Sequence, residues 1–319
     1  MEFEQFIDHP SGFLALSPHN QRFTVTNLPG FIAYREQGQH WISFGGVHAP
    51  VDARTELLRQ FLTQAQQQRR KVLAVQVRQN QVPLFQQFPA TINQLGSNFS
   101  LSLKNYNLAG TRKMKLRHKI KQAQQAGLHV VEIGAELPKD EATFAQLFEI
   151  SNHWLAAKRK KELNFMIGEI GTPAETQRRI FVTLNASNQP IGFITYVPAW
   201  GERPGYLHDL TRRLPNAPPG AMELCNIRAL QRLQAEGVAW LHFGFTPFIV
   251  EAPELPDANR IMARLVRWLR QYGRVIYPAA SQAAYKLKWG IDSIEPEYII
   301  GFPLSFRAIW DLLVLTRSL

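Results

Sequence analysis

The sequence predicts a mixed α/β (α+β) fold that is built from two consecutive halves. Its 319 residues are enough for one large domain or two ordinary ones, and 45% of them are hydrophobic, so the chain can bury a substantial core. Short apolar runs follow one another as in an antiparallel meander, and amphipathic runs of helical spacing come after them. This order occurs twice along the chain, which predicts two halves of similar architecture.

The first half opens with three predicted strands and continues with an amphipathic helix. The predicted elements, in order, are strands at 22–27, 31–36 and 40–46, a helix at 52–70, a strand at 71–77, a short helix at 83–88 and a strand near 97–103. The apolar residues of the helix recur at the spacing of one helix face: Leu57, Leu58, Phe61 and Leu62. The first half is therefore predicted to be a meander with helices and further strands after it.

The second half repeats this order after a basic helix at 110–127, which ends at Gly127. The predicted elements after it are a strand ending at 133, a helix at 141–158, strands at 179–185, 191–198 and 205–210, a helix at 221–237, a strand at 239–245, helices at 258–273 and near 281–289, and a strand at 297–302. The repeated order suggests the acetyltransferase-like (GNAT) fold, present twice. We place the junction near residue 105, with an N-terminal acetyltransferase-like domain at 1–105 and a C-terminal catalytic acetyltransferase-like domain at 106–319 that includes the basic linker helix.

The charge balance favours anionic partners. The formal net charge is +11 and the sequence pI is about 9.9. Nucleic acid, anionic lipid headgroups and phosphorylated substrates are the partners that such a charge attracts. A generally basic surface that keeps the protein soluble is the alternative.

The single cysteine and the lack of targeting segments indicate a cytoplasmic protein. Cys225 alone excludes a disulfide within the chain and a cysteine metal site, and its apolar neighbour Leu224 predicts that it is buried and inert. Residues 1–13 have neither the basic nor the apolar region of a signal peptide. No run approaches the about 18–20 apolar residues that span a bilayer. We expect peripheral association with the inner face of the cell membrane.

Three basic clusters are candidate binding surfaces for anions. The first lacks any acid between Arg112 and Glu132, so it forgoes the ion pairs of an ordinary solvated helix. The second is a helix face with its core residues predicted on the opposite side, and arginine forks suit phosphate oxygens. The clusters are Arg112, Lys113, Lys115, Arg117, Lys119 and Lys121; Arg260, Arg264, Arg267, Arg270 and Arg274, opposite Ile261, Met262, Leu265, Leu269 and Tyr272; and residues 158–161 beside Trp154. Ion pairs within the fold, or a surface helix without a ligand, are the alternatives.

Several catalytic motifs are missing from the sequence. It has no Walker A sequence, no HExxH and no GxSxG elbow, so it predicts neither a P-loop, a zinc site nor an α/β-hydrolase site. The isolated His208 and His242 are expected to be packing residues. The Q/R-x-x-G-x-G/A turn with which acetyltransferases hold the CoA pyrophosphate is also missing, which argues against acyl-CoA as the donor.

Residues 205–248 carry a combination of motifs that resembles the catalytic domain of phosphatidylglycerol lysyltransferases, the cytosolic domain of the multiple peptide resistance factor family. The matching residues are Asp209 and Arg212 in Asp-x-x-Arg, the turn Ala217–Pro218–Pro219–Gly220, Glu223 at the head of a helix, and Gly244 with Pro247 in Gly-x-x-Pro. The basic helix with Leu116–Arg117, the segment 153–168 with Trp154, Lys158, Phe165 and Gly168, and the pair Lys286 and Lys288 also fit. Glu297 stands where the family usually has an arginine.

The resemblance implies a stand-alone synthase domain that moves an amino acid from aminoacyl-tRNA to a lipid hydroxyl, with no cofactor and no metal. Such a transfer needs an oriented hydroxyl, a path for its proton and a donor to the oxyanion. Asp209 could orient the hydroxyl or the substrate ammonium, or form an ion pair with Arg212 that closes the turn. Arg212 could hold a phosphate, and Lys286 could donate to the oxyanion or to a tRNA phosphate. The candidate substrate-binding residues are Arg117, Lys158, Glu223, Lys288, Arg264 and Arg267, although Glu223 could instead cap its helix.

Three functions compete at this point. The first is aminoacyl transfer from aminoacyl-tRNA to an anionic phospholipid. The second is acyl-CoA-dependent acyl transfer on the same fold. The third is a non-catalytic module that binds anionic membranes or RNA. The apolar tail at 302–319, with Trp310, could enter a membrane interface or pack on the body. The sequence leaves the transferred group, the acceptor and the oligomeric state open.

Overall fold

A single large β-sheet organises the chain into a mixed α/β fold. The computed structural model describes residues 3–158, 165–166, 168–250, 252–256, 258–272 and 278–318. Within these residues, eleven strands form one sheet in the order β1-β2-β3-β4-β11-β5-β10-β9-β8-β7-β6. The strands are β1 Gln21–Val25, β2 Leu28–Gln37, β3 His40–Phe44, β4 Lys71–Arg78, β5 Thr91–Ser102, β6 His129–Glu132, β7 Arg179–Leu184, β8 Pro190–Ala199, β9 Gly205–Arg213, β10 Trp240–Pro247 and β11 Ser293–Phe302.

Helices cover both faces of this sheet. They are α1 Val51–Gln67, α2 Val82–Phe85, α3 Met114–Gln125, α4 Glu141–Lys158, α5 Ala221–Ala235, α6 Arg260–Tyr272, α7 Ala279–Leu287 and α8 Phe306–Leu315. Alternate side chains of β2 show the two layers, because Ile32 packs in one core with Leu57 of α1 and Phe31 packs in another with Leu312 of α8. The predicted order of strands and helices is confirmed as far as β11, although β5 begins six residues before its predicted start, and helix α8 after β11 was not predicted.

Two parallel strand pairs interrupt an otherwise antiparallel sheet. The first is β3–α1–β4, where pairing runs from His40 with Lys71 to Phe44 with Val75. The second is β9–α5–β10, where it runs from Gly205 with Trp240 and stops at Leu207 with His242. Just beyond the last parallel pair, β4 shifts its register against β11, and β10 shifts its register against β5. Each shift occurs at a residue with positive φ, Gln76 (52°) in β4 and Gly244 (71°) in β10. Bulges of this kind redirect a strand and its side chains.

The last strand of the chain lies inside the first half of the sheet. Strand β11 pairs with β4 on one side and with β5 on the other, while β5 also pairs with β10. The sheet is therefore continuous across residue 105, and the domain boundary at that residue stays a prediction.

Helix α6 packs differently from the sequence prediction. Its buried residues are Met262, Ala263 and Val266, whereas Ile261 and Tyr272 are exposed, so the expected core face was wrong at those two positions. Residue 274 of the arginine cluster lies outside the described residues. Among the described residues, no helix is both long enough and apolar enough to cross a bilayer.

Candidate functional site

A cleft of about 900 Å³ opens where β9 and β10 stop pairing. Both strands contribute lining residues beyond the last paired position, and helices α4, α5 and α7 and the turn at 215–220 contribute further walls. Ends of parallel strands joined by a helical crossover are a common place for ligands in α/β proteins. Five of the predicted site residues line this cleft: Asp209, Arg212, Glu223, Lys286 and Lys158.

The turn before α5 brings the basic helix α3 to the cleft. Gly220 has a φ of 87°, and a Cβ at this position would lie 1.9 Å from the backbone oxygen of Lys119. Only glycine therefore allows the turn and α3 to pack this closely. This contact explains the glycine of the Ala-Pro-x-Gly motif, and Lys119 itself lines the cleft.

Asp209 is fixed by a buried arginine that the sequence analysis did not identify. Its Oδ2 accepts a hydrogen bond from Arg178 Nη1 at 2.6 Å, and its Oδ1 accepts one from the Gly168 backbone N–H at 2.9 Å. The side chains of Asp209 and Arg178 are only 3% and 6% exposed. The alternative of an ion pair between Asp209 and Arg212 was therefore wrong, because Asp209 pairs with Arg178. No motif marks Arg178, whose role depends on a contact across two strands.

Gly168 explains the last position of the Phe-x-x-Gly segment. A Cβ on this residue would lie 1.7 Å from Asp209 Oδ2. Any side chain would displace the carboxylate, so a glycine is required for the backbone N–H to approach Asp209. The glycine at the end of this segment thus supports the position of Asp209.

Arg212 is buried in the cleft wall and held by α4. Its Nε donates to Ser151 Oγ at 3.2 Å, and its guanidinium lies over the ring of Trp154, 4.3 Å from the ring centroid. Lys158 Nζ lies over the same ring at 4.5 Å. Two cations on one indole form a cluster that suits an anionic group. Residues 159–161 of the predicted basic cluster lie outside the described residues.

Lys286 is a buried amine at the point where β10 bulges. Its Nζ donates to the backbone oxygens of Gly244 and Phe245, at 2.8 and 3.0 Å. Burial lowers the pKa of Lys286 to about 7, and the negative charge of Glu297 opposes that effect. A lysine with a pKa near neutrality in a cleft is a candidate functional group.

Glu223 pairs with Lys288 instead of capping its helix. Lys288 Nζ lies 2.7 Å from Glu223 Oε1. The N-cap residue of α5 is Gly220 and the helix has no side-chain cap hydrogen bond, so the capping interpretation of Glu223 was wrong. Glu223 lines the cleft, whereas its partner Lys288 does not.

The remaining predicted binding residues lie away from the cleft. Arg117 Nη1 donates to the backbone oxygen of Gly110 at 2.7 Å. Arg264 is exposed on α6, and Arg267 Nε donates to the backbone oxygen of Ala263 at 3.3 Å. The structure therefore does not bring these three arginines together with Asp209. Their assignment to substrate binding stays a prediction.

Glu297, the departure from the family pattern, is buried in a polar cluster outside the cleft. Its Oε1 lies 3.2 Å from His9 Nε2 and accepts a hydrogen bond from Asn98 Nδ2 at 2.8 Å. His9 is itself fully buried and accepts a bond from the Ser11 backbone N–H. The acid at this position is therefore paired within the N-terminal part of the fold. Among the described residues, no group of three or more His, Cys, Asp or Glu side chains could hold a metal ion.

A hydrogen-bonded chain at the cleft was also missed by the sequence analysis. His208 lies 2.7 Å from Thr211 Oγ1 through Nε2 and 3.1 Å from Asn226 Oδ1 through Nδ1. Burial lowers the pKa of His208 to about 3, against the hydrogen bond to Asn226. His208 and Thr211 both line the cleft. Their spacing of three residues in a strand gave no sign that the two side chains meet.

One family model matches nearly the whole chain. The sequence model described as phosphatidylglycerol lysyltransferase, C-terminal, matches residues 2–301. The lysylphosphatidylglycerol biosynthesis bifunctional protein LysX of Mycobacterium marinum is 26% identical over 178 residues, which are 55% of this chain and 16% of that relative. The match to this curated relative therefore spans about a sixth of its length.

Two solved structures share the fold over nearly the whole chain. The C-terminal domain of a protein described as a lysylphosphatidylglycerol synthetase from Agrobacterium fabrum has a TM-score of 0.81 and 19% identity, and the match covers 99% of this chain and 95% of that one. L-PGS from Bacillus licheniformis has a TM-score of 0.77 and 19% identity, with 96% and 91% covered. At this level of identity the likeness concerns the fold.

Proposed function

The chain belongs to the phosphatidylglycerol lysyltransferase C-terminal family, and on this basis we propose that it transfers an aminoacyl group from aminoacyl-tRNA to the hydroxyl of a phosphatidylglycerol-like lipid. The relatives are named for the synthesis of lysylphosphatidylglycerol, an ester of an amino acid with a lipid. The donor in this proposal is also an ester. The reaction exchanges one ester for another and needs no further activation of the amino acid.

The observation that carries the proposal is the set of charges held inside one cleft. Arg212 and Lys158 lie over one indole, and Lys286 lies at the bulge of β10. Both proposed substrates carry phosphates, and fixed cations bind phosphate oxygens. A preorganised cation also stabilises the oxyanion that forms when the hydroxyl attacks the ester carbonyl.

We assign a role to each residue from its surroundings. Arg212 binds a phosphate, because its guanidinium is fixed by Trp154 and Ser151. Two of the three ammonium hydrogens of Lys286 bond to backbone carbonyls, and the third donates to the oxyanion. Asp209 positions the cleft wall through Arg178, since both of its oxygens already accept hydrogen bonds.

We further propose that the fold consists of two acetyltransferase-like halves that exchange their last strands. The repeated parallel crossover, followed in each case by a bulge at a residue with positive φ, supports this duplication. In this arrangement β11 of the second half completes the first, and β5 of the first half completes the second. Helix α3, at the proposed junction near residue 105, is then the core of the basic linker.

The surfaces around the cleft fit two anionic partners. Helix α6 exposes Ile261, Trp268 and Tyr272 together with arginines, a combination typical of helices that lie in a membrane interface. Helix α3 exposes lysines and arginines and reaches the cleft at Lys119, which suits the phosphates of a tRNA acceptor stem. We therefore propose peripheral attachment to the cytoplasmic face of the membrane.

The first test is the lipid content of cells that produce the chain. We would compare wild type with Lys286→Met, and use Lys71→Met, the same change at an exposed position of β4, as the matched control. The proposal expects a ninhydrin-positive lipid in wild type and Lys71→Met that is reduced at least tenfold in Lys286→Met. The mass of that lipid identifies the amino acid.

Other outcomes favour the competing functions. A new lipid without an amine supports acyl-CoA-dependent transfer. If no new lipid forms while all three proteins bind anionic vesicles or RNA equally, the chain is a binding module. An aminoacyl lipid in equal amounts from all three proteins contradicts the role of Lys286.

A further inference from the structure

A β-bulge brings a threonine and a histidine together at the cleft. Thr211 pairs with Ile194 of β8, and His208 pairs with Tyr196, so two residues of β9 stand opposite the single residue Thr195. In a regular strand, side chains three residues apart point to opposite faces. The bulge cancels this alternation, and Thr211 Oγ1 comes to lie 2.7 Å from His208 Nε2.

The partners on the other side of the ring determine where its proton lies. Tyr196 donates its hydroxyl hydrogen to Asn226 Oδ1 at 2.6 Å, so this oxygen acts as an acceptor. With Asn226 Oδ1 facing the ring at 3.1 Å, His208 Nδ1 carries the ring proton. Nε2 is left with a lone pair, and the Thr211 hydroxyl donates to it.

The surroundings keep this ring uncharged. His208 is enclosed by the rings of Tyr196, Phe243 and Tyr285, with centroids 5.4, 5.4 and 6.3 Å away. Burial is the main reason that its pKa falls to about 3, and the positive charges of Lys286 and Lys288 lower it further. At neutral pH the ring is therefore uncharged and a weak base, so it takes a proton only while the attack on the ester proceeds.

We propose that Thr211 and His208 form a proton relay for the acceptor hydroxyl, with Asn226 and Tyr196 as positioning residues. This inference rests on the proposed function, because it assigns the proton path of that transfer. Thr211 is the member that touches the substrate, since it lines the cleft. His208 acts through Thr211, and Asn226 holds the tautomer that leaves Nε2 free to accept.

The relay balances the transfer without a net gain or loss of protons. The oxygen of the acceptor hydroxyl bonds to the ester carbonyl carbon, and its proton moves to Thr211 Oγ1 as the threonine proton moves to His208 Nε2. The bond between that carbon and the ribose oxygen then breaks. The ribose oxygen takes a proton back from His208 through Thr211. A histidine with such a low pKa gives up its added proton readily, so the relay returns to its starting state.

The test measures transfer with purified protein, bulk tRNA charged with radiolabelled amino acids, and phosphatidylglycerol vesicles. Thr211→Val removes the hydroxyl at nearly constant shape, Thr211→Ser keeps it, and Thr63→Val makes the same change at an exposed position of α1. We expect Thr211→Val to lower kcat by about 10²–10⁴-fold with KM values within about threefold of wild type. Thr211→Ser should stay within about tenfold, and Thr63→Val should equal wild type.

A double variant separates the relay from a structural role. His208→Gln can still bond to Thr211 but cannot take its proton, so it should lose as much activity as Thr211→Val. Because the two residues act as one unit, the double variant should lose no more than about threefold beyond the worse single variant. If His208→Gln does not fold, the contrast between valine and serine at Thr211 still decides the question.

Three results would overturn the relay. They are a Thr211→Val protein with kcat within threefold of wild type, losses in the double variant that multiply, and a labelled amino acid that stays covalently attached to the protein. Wild-type protein that transfers no amino acid to lipid overturns the proposed function and the relay with it. Active wild type together with active Thr211→Val overturns the relay alone.

Discussion

The protonation of Lys286 predicts how activity depends on pH. Its pKa falls from 10.5 to about 7, chiefly through burial, and each pH unit corresponds to about 1.4 kcal/mol, so the fold disfavours the ammonium form by roughly 5 kcal/mol. Below pH 7 the residue is mostly an ammonium ion, and above pH 7 it is mostly a neutral amine. If the ammonium form donates to the oxyanion, kcat/KM falls about tenfold per pH unit above pH 7.

An arginine at this position provides the comparison. A guanidinium stays protonated throughout the accessible pH range, so Lys286→Arg should have lower activity but no decline above pH 7. The assay follows radiolabelled aminoacyl lipid between pH 5.5 and 9, with the spontaneous hydrolysis of the aminoacyl-tRNA measured at each pH without protein. In kcat, a bound phosphate near Lys286 should move the decline to higher pH.

Two results would refute this reasoning. If kcat/KM rises with pH and levels off above 7, the neutral amine is the working form and Lys286 acts as a base. If wild type and Lys286→Arg decline together, the titrating group is another residue.

Three further predictions concern stability, binding and reactivity. Asp209→Ala should lower the free energy of unfolding in urea by about 3–5 kcal/mol, because it leaves the buried Arg178 with Glu175 as its remaining carboxylate. A loss below about 1 kcal/mol would contradict this pairing. Arg212→Lys should raise the KM for lipid or tRNA about tenfold or more, because a lysine lacks the planar fork that stacks on Trp154. An unchanged KM would show that Arg212 does not bind a phosphate. Cys225 is fully buried and its pKa is raised to about 12. Iodoacetamide at pH 8 should therefore label it only after denaturation. Labelling of the native protein would show that the core opens.

Local patterns predicted the elements well because apolar spacing directly reflects burial on one face. The meander, the crossover helices α1 and α5 and the final strand all came from such spacing. The same logic failed for α6, whose exposed Ile261 and Tyr272 sit at helical spacing with its core residues. Spacing identifies candidate faces, but the neighbouring elements decide which face is covered.

The motifs found most of the cleft but not its internal contacts. Asp209, Arg212 and Lys286 all line the cleft because the ends of β9 and β10 and the helix α7 converge there. Arg178 lies directly before β7, whereas its partner Asp209 lies in β9. No sequence pattern links these two positions, so Arg178 was not predicted. The contact of Thr211 with His208 depends on a bulge, and a bulge follows from strand register, which short apolar runs do not encode.

The position of β11 has a consequence for synthesis on the ribosome. Arg78 of β4 meets Glu295 of β11, which is 217 residues further along the chain. While the nascent chain grows, β4 and β5 have edges with unpaired backbone groups until β11 has emerged. The sheet of the first half is therefore completed only after β11 has been translated. Until β11 pairs with β4 and β5, their exposed edges can pair with strands of other chains.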